Sequence, residues 1–140
     1  GEIGAGAAVT ALYEVTPVGG NVSVDPLRYE DAPKTVAYES DGELAFVKVR
    51  YKLPGEAEST LIEQPVPASE IYSSFDAAPE DARFAALVAA FGQRLSRVPE
   101  VEDLPYGVIA EMATKAKGAD RYGERAEFVK LVDIAAGLEK

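Results

Sequence analysis

The pattern of apolar and polar positions changes its period near Asp76. Before that point the clearest signal runs from Leu44 to Leu53, where every odd position is apolar and the later even positions are basic. Alternation with a period of two is typical of a strand in an antiparallel sheet, with one face buried and the other in water. Pro54-Gly55 suits the centre of a type II turn, and Thr60 to Gln64 then predicts the partner strand.

Other segments of the first half also carry strand signals. Ala8 to Thr16 is rich in β-branched and aromatic residues and ends at Pro17, and Thr35 to Glu39 predicts a second, shorter strand. Val22 to Val24 predicts a short extended piece. The first half therefore predicts about four strands. Such a sheet is viable if helices cover its face, and it is also what remains if further strands lie upstream in a longer polypeptide.

After Asp76 the apolar residues recur with the period of a helix. Three amphipathic helices are predicted, from about residue 79 to 97, from about 105 to 117, and a third that is capped by Asp120. Gly118 fits the position just after the second helix, where a left-handed backbone is common. The residues expected on the buried stripes are Phe84, Leu87, Val88, Phe91, Leu95, Ile109, Met112, Ala113, Ala116, Phe128, Leu131, Val132, Ala135 and Leu138.

These patterns predict an α+β fold, in which an antiparallel, sandwich-like sheet is followed by a three-helix C-terminal half. Residues 1–75 form a β-rich subdomain and residues 76–140 a three-helix subdomain. At 140 residues the two fit together as one compact domain that needs neither a disulfide nor a metal to fold.

Composition and charge exclude several classes of function. The formal net charge is −10, so the chain lacks the basic surface that neutralises nucleic-acid phosphates. It contains no Cys and no His, which excludes thiol nucleophiles, Ser-His-Asp triads and nearly all transition-metal sites. No segment is apolar over the length of a membrane span. We therefore expect no catalytic residue, no metal ligand and no cofactor.

Three bases on one strand face reverse the local sign of charge. Lys48, Arg50 and Lys52 occupy the even positions of the strand from Leu44 to Leu53. One interpretation is a solvated face, or pairing to acids on the next strand. The other is an interaction face that docks an acidic surface of a partner protein.

The acidic pairs have a structural explanation as well as a catalytic one. Glu80-Asp81 opens a predicted helix, where carboxylates suit the helix dipole, and Glu102-Asp103 lies in the following loop. A hydrolase or lyase is the catalytic alternative, and it requires these loop acids to meet Tyr106 or Tyr122 in one pocket. A third hypothesis, a peptide-binding helical module, requires an open apolar groove among the helices.

Four stretches carry a family resemblance: GEIGAGAAVTALYEV, LAFVKVRYKLPGE, RFAALVAAFGQ and YGERAEFVKLVDIA. They resemble, in the same order, the C-terminal region of bacterial proteins that contain a von Willebrand factor type A domain. In that family the region is an uncharacterised domain that follows the A-type domain. The metal motif of that neighbour, DxSxS, does not occur here, and Ala7 stands where the family often has a His.

The resemblance implies a piece of a larger protein with a location at the bacterial cell envelope. It favours a non-enzymatic accessory or protein-interaction domain, whose partner is an A-type domain of the same polypeptide or of another protein. Neither nucleic acid nor direct insertion into a membrane is expected.

Overall fold

A computed structural model of the chain describes residues 3–15 and 42–139. The chain divides into two compact units, of which one is Gly1–Val15 together with Ser74–Lys140 and the other is Thr16–Ser73. The described residues contain a two-stranded antiparallel sheet followed by three helices. This arrangement confirms the predicted α+β class.

The predicted hairpin is present in the unit Thr16–Ser73. Strand β1, Glu43–Tyr51, pairs with strand β2, Thr60–Pro67, and Val49 lies opposite Ile62. The turn is closed by a hydrogen bond of 3.1 Å, in which the Glu56 N–H donates to the Leu53 carbonyl. Gly55 has a φ of 84°, which a type II turn requires at its third residue and which Gly adopts without steric cost. The Pro54-Gly55 prediction is therefore confirmed.

The predicted burial of one strand face is wrong. Val47 is 43% exposed, Val49 is 49% exposed, and every residue of β1 after Glu43 is exposed. Alternation identifies which side chains share a face, but burial requires a second layer that covers that face. No such layer appears among the described residues of this unit.

The strand predicted from Ala8 to Thr16 is also wrong over residues 8–15, which have no regular secondary structure. A strand exists only when its backbone pairs with a neighbour, and composition alone cannot supply that neighbour. The segments predicted at Val22–Val24 and Thr35–Glu39 lie outside the described residues.

Three helices follow in the other unit, each within a few residues of its predicted span. Helix α1 is Glu80–Leu95, α2 is Tyr106–Lys115 and α3 is Glu124–Leu138. Pro79 and Pro105 immediately precede the first two, where a missing N–H costs nothing. Short 3₁₀ turns lie at Phe75–Ala77 and Pro99–Val101 in this unit. Another lies at Ala68–Glu70, in the unit that contains the hairpin. No helix in the part of the chain that the structure describes is long and apolar enough to cross a membrane.

Side-chain contacts give the helix directions. Phe84 and Phe91 of α1 both stack edge-to-face on Phe128 of α3, with ring centroids 5.4 and 5.5 Å apart. The start of α1 contacts the start of α3 through Asp81 and Arg125. Helices α1 and α3 therefore run in the same direction, and α2 returns between them.

The core of this unit is small. The buried apolar residues of the described part are Phe84, Leu87, Ile109, Ala110, Ala113, Ala116 and Val132. Phe91, Tyr106 and Phe128 are partly buried against them and extend the core as an aromatic cluster. Aromatic pairs at such distances add about 0.5–1.5 kcal/mol each beyond the area they bury.

Four residues predicted on the buried helix stripes are exposed instead. Val88 and Leu95 of α1 are exposed, as are Leu131 and Leu138 of α3. Three packed helices bury only a narrow stripe of each, so apolar residues beside that stripe remain in water.

Candidate interaction surfaces

One face of the hairpin is uncharged and largely apolar. Residues that are paired across an antiparallel ladder lie on the same face of the sheet, and the register therefore assembles the surface from both strands. We call this surface the hairpin apolar face; it comprises Ala45, Val47, Val49, Tyr51, Ile62 and Val66, with Gln64 and Thr60 as its neutral polar members.

The opposite face of the hairpin carries two of the three bases singled out from the sequence, Lys48 and Arg50. Lys48 Nζ lies 3.2 Å from Glu63 Oε1 on the neighbouring strand and 5.3 Å from the centre of the Phe46 ring. Arg50 Nη1 donates to Ser59 Oγ over 3.1 Å. Lys52, just past the end of β1, is exposed. The contact with Glu63 reduces the local positive charge, and docking of an acidic partner at this face stays a prediction.

A polar corner joins the starts of α1 and α3 in the helical unit. Arg125 Nη2 donates to Asp81 Oδ1 over 2.5 Å, and Arg125 Nη1 donates to the Lys117 carbonyl over 3.3 Å. The guanidinium also lies 4.8 Å from the centre of the Phe84 ring. One side chain of α3 therefore contacts helix α1 and the loop between α2 and α3. Nothing in the sequence pattern distinguished Arg125 from Lys130, the other base of α3.

Asp120 caps α3, as its position predicted. Its Oδ1 accepts from the Arg125 N–H over 3.0 Å and its Oδ2 from the Ala126 N–H over 2.8 Å. Desolvation acts to raise the pKa of Asp120, but these two bonds, with the charges of Lys117 and Arg125, outweigh it and lower the pKa below its ordinary 3.8.

Gly118 lies in the same corner. Its φ of 64° is left-handed, and a Cβ at this position would collide with the Glu80 side chain. The sequence prediction of a left-handed residue after the second helix is therefore confirmed.

A second arginine joins the other ends of α1 and α3. Arg94 pairs with Glu139, donates from Nε to the Leu104 carbonyl over 3.2 Å, and lies 5.2 Å from the centre of the Tyr106 ring. One arginine at each end of this unit therefore helps to hold α1 and α3 together.

An open groove runs along α1. It has a volume of about 590 Å³ and is bounded on one side by Thr10 and Leu12 of the N-terminal segment. We call it the α1 groove; its remaining lining residues are Asp81, Phe84, Ala85, Val88, Ala89 and Arg125. No sequence pattern predicts this groove, because the groove depends on where residues 8–12 pack.

The structure places one of the candidate catalytic tyrosines, Tyr122, away from the loop acids. Glu102 and Asp103 are exposed in the connection between α1 and α2. Tyr106, at the start of α2, stacks on Phe91, whereas Tyr122 follows the other end of α2 and is 78% exposed. A helix of ten residues is about 15 Å long, so Tyr122 is remote from the two acids. Within residues 3–15 and 42–139, no three acids cluster as potential metal ligands.

These features define a small α+β domain with a modest helical core and a hairpin that exposes apolar surface. A family model described as the C-terminal region of the uncharacterized protein YfbK matches residues 1–138. The chain belongs to this family.

A curated relative agrees with this assignment. Over 138 residues, 99% of this chain, it is 39% identical to the uncharacterized protein YfbK of Escherichia coli strain K12. The chain spans 23% of that protein's length. No solved structure matches the chain. The resemblance noted from the sequence is thus confirmed as a C-terminal domain of uncharacterised function, and its link to von Willebrand factor type A domains stays a prediction.

Proposed function

We propose that this domain is a non-enzymatic accessory domain that binds another protein domain through the hairpin apolar face. The observation that carries the proposal is the exposure of that face. Val47, Val49, Tyr51 and Ile62 are between 42% and 52% exposed and have no charged residue among them. Contiguous exposed apolar surface of this kind marks interaction sites in soluble proteins.

The energetics favour a covering partner. A two-stranded hairpin is marginally stable by itself in water and needs a further layer on its apolar face. Fully burying a Val or Ile side chain contributes roughly 1.5–3 kcal/mol. Covering the remaining exposed part of several such side chains would therefore stabilise both the complex and the hairpin.

The partner we propose is a von Willebrand factor type A domain, in the same polypeptide or in another protein. Its support is the resemblance carried by the four stretches quoted above. A relative that extends well beyond the matched region also fits a domain that works beside others. Packing against a neighbour in one polypeptide needs little intrinsic affinity, because the linkage raises the effective concentration to the millimolar range.

An interaction role has better support than carboxylate chemistry. General acid and base catalysis requires the two groups to converge on one substrate, and the loop acids are remote from Tyr122. Tyr106 is closer to those acids, but its ring packs in the aromatic cluster and contacts Arg94.

The test is binding of the separately produced A-type domain to this chain, measured by calorimetry. The double variant Val47→Thr, Val49→Thr keeps β-branched residues on β1 but replaces methyl groups with hydroxyls. We expect it to weaken binding at least about tenfold, because the hydroxyls would be desolvated without partners.

The control is Leu61→Thr, which also introduces a threonine hydroxyl at an apolar position, but on the opposite face of the hairpin. It should bind as tightly as the parent chain. Absence of any binding to the A-type domain at low salt would contradict the proposal. The triple variant Lys48→Glu, Arg50→Glu, Lys52→Glu tests the basic face directly, since a loss of binding there would assign docking to the bases.

A further inference from the structure

The N-terminal segment has the side-chain arrangement of a strand without belonging to one. Thr10 and Leu12 line the α1 groove, whereas Val9, Tyr13 and Val15 are 72%, 84% and 75% exposed. Successive side chains of an extended segment point to opposite faces. Thr10 and Leu12 therefore share one face of the segment and approach α1, with Leu12 still 53% exposed, and the alternate positions carry apolar side chains in water.

The backbone of this segment forms no ladder with the residues that the structure describes. Among residues 3–15 and 42–139, no backbone hydrogen bond involves residues 8–15; the nearest is the turn in which the Ala7 N–H donates to the Gly4 carbonyl. An exposed edge of β-branched and aromatic residues is a template on which another strand can pair.

The floor of the α1 groove suits a strand that lies beside the segment. Ala85 and Ala89 are small, and Val88 is 42% exposed between them. Small side chains on a helix let an extended backbone approach closely. Alternate side chains of an added strand would then contact these three residues.

We infer that residues 8–15 and the α1 groove together form a β-strand acceptor. The occupant is an extended strand with apolar side chains at every second position, contributed by the remainder of a longer polypeptide that contains this domain. It pairs with the open edge of residues 8–15 and lays its apolar side chains on the groove floor. This inference rests on the proposed function and adds a second contact, on the helical unit, to the one at the hairpin.

Two observations favour this occupant over a second copy of the chain. The matched region is 23% of the length of the Escherichia coli relative, so proteins of this family have ample polypeptide outside the domain to supply a strand. Two copies of a chain with a net charge of −10 repel each other, whereas a linked strand meets no such barrier and profits from a high effective concentration.

The test is amide hydrogen exchange of the isotope-labelled chain, alone and with the remainder of its encoded polypeptide added in trans. We expect slower exchange at every second amide of residues 8–15, because successive N–H groups of a strand point to opposite edges. Side-chain docking without a ladder would not give a period of two.

Proline substitutions identify the edge. Thr10→Pro and Ala11→Pro remove donors on opposite edges, so one of them should weaken binding roughly tenfold or more and the other much less. Ala11→Gly, which keeps the donor, is the control for Ala11→Pro. Ala89→Leu fills the groove floor while leaving the segment unchanged, and it should also weaken binding.

The outcomes separate this inference from the proposed function. Binding in trans that depends on Val47 and Val49 but leaves exchange at residues 8–15 unchanged would overturn the strand acceptor alone. Protection of these amides already in the isolated chain would also overturn it, since the chain's own residues would then fill the edge. Absence of binding would count against both proposals.

Discussion

Arg125 shows how one side chain can connect a small helical unit. Its guanidinium has an acidic partner and an aromatic ring on α1 and a carbonyl acceptor in the loop after α2. An exposed ion pair alone contributes little, because water and salt screen it. The carbonyl contact and the partly desolvated position over Phe84 add to it.

We therefore expect Arg125→Ala to lower the free energy of unfolding by about 1–3 kcal/mol. Arg121→Ala is the matched control, because Arg121 is an exposed arginine of the same corner whose contact is the ring of exposed Tyr122. It should change stability by no more than about 0.5 kcal/mol. Urea denaturation followed by helical circular dichroism measures both, and equal effects would contradict the role given to Arg125.

The cap at Asp120 makes stability depend on pH in a defined direction. A carboxyl whose pKa is lower in the folded state stabilises the protein above its unfolded pKa, and this contribution is lost as the pH falls through the folded pKa. The stability difference between the parent chain and Asp120→Asn should thus be constant near neutral pH and shrink as the pH falls through 3.8 and below. Urea midpoints measured across this range test the expectation, and a difference that grows on acidification would refute it.

Among the elements, the helices separate into buried and exposed apolar positions that look alike in the sequence. Ile109 of α2 is completely buried, whereas Ile134 of α3 is 60% exposed. Both lie within amphipathic helices, so neither propensity nor residue type distinguishes them. Only packing against the neighbouring helices does so.

Truncation of these two isoleucines is a direct comparison of the same chemical change. Ile109→Ala should lower the free energy of unfolding by about 2–5 kcal/mol, because it leaves a cavity between packed helices. Ile134→Ala should alter it by about 0.5 kcal/mol or less. Thermal unfolding gives both values, and a large loss for Ile134→Ala would show that this side of α3 is covered.

The elements that the sequence predicted well are those set by local chemistry. The Pro54-Gly55 turn, the hairpin and the three helices depend on residues close together in the chain. The prediction of a strand at residues 8–15 was wrong because the backbone of a strand must pair with residues that are distant in the sequence. The predicted burial of Leu131 was wrong because Leu131 is next to Val132 in the helix, and periodicity alone does not identify which of the two faces the core.

The candidate surfaces were predictable only in part, for the same reason. Alternation along β1 identified both faces of the hairpin, but the contact between Lys48 and Glu63 depends on the cross-strand register. The α1 groove and the corner at Arg125 join residues that are more than 40 positions apart in the chain. A single sequence carries no signal for such pairs.

At the scale of the whole molecule, net charge and exposed apolar surface have opposite effects on self-association. A net charge of −10 keeps copies apart, while exposed apolar side chains on the hairpin and on residues 8–15 favour association. The chain should thus be monomeric at neutral pH and low salt. It should self-associate as acidification neutralises its carboxylates, which light scattering across a pH series would detect; association at neutral pH and low salt would contradict this balance.

The hairpin apolar face also bears on how a cell would handle this domain. Exposed aliphatic and aromatic side chains on a marginal hairpin are features that chaperones and proteases bind in incompletely assembled proteins. A domain made without its neighbour would then be degraded sooner than one whose face is covered. On the proposed function, its abundance would follow that of the partner, and one surface would serve both binding and the quality control of assembly.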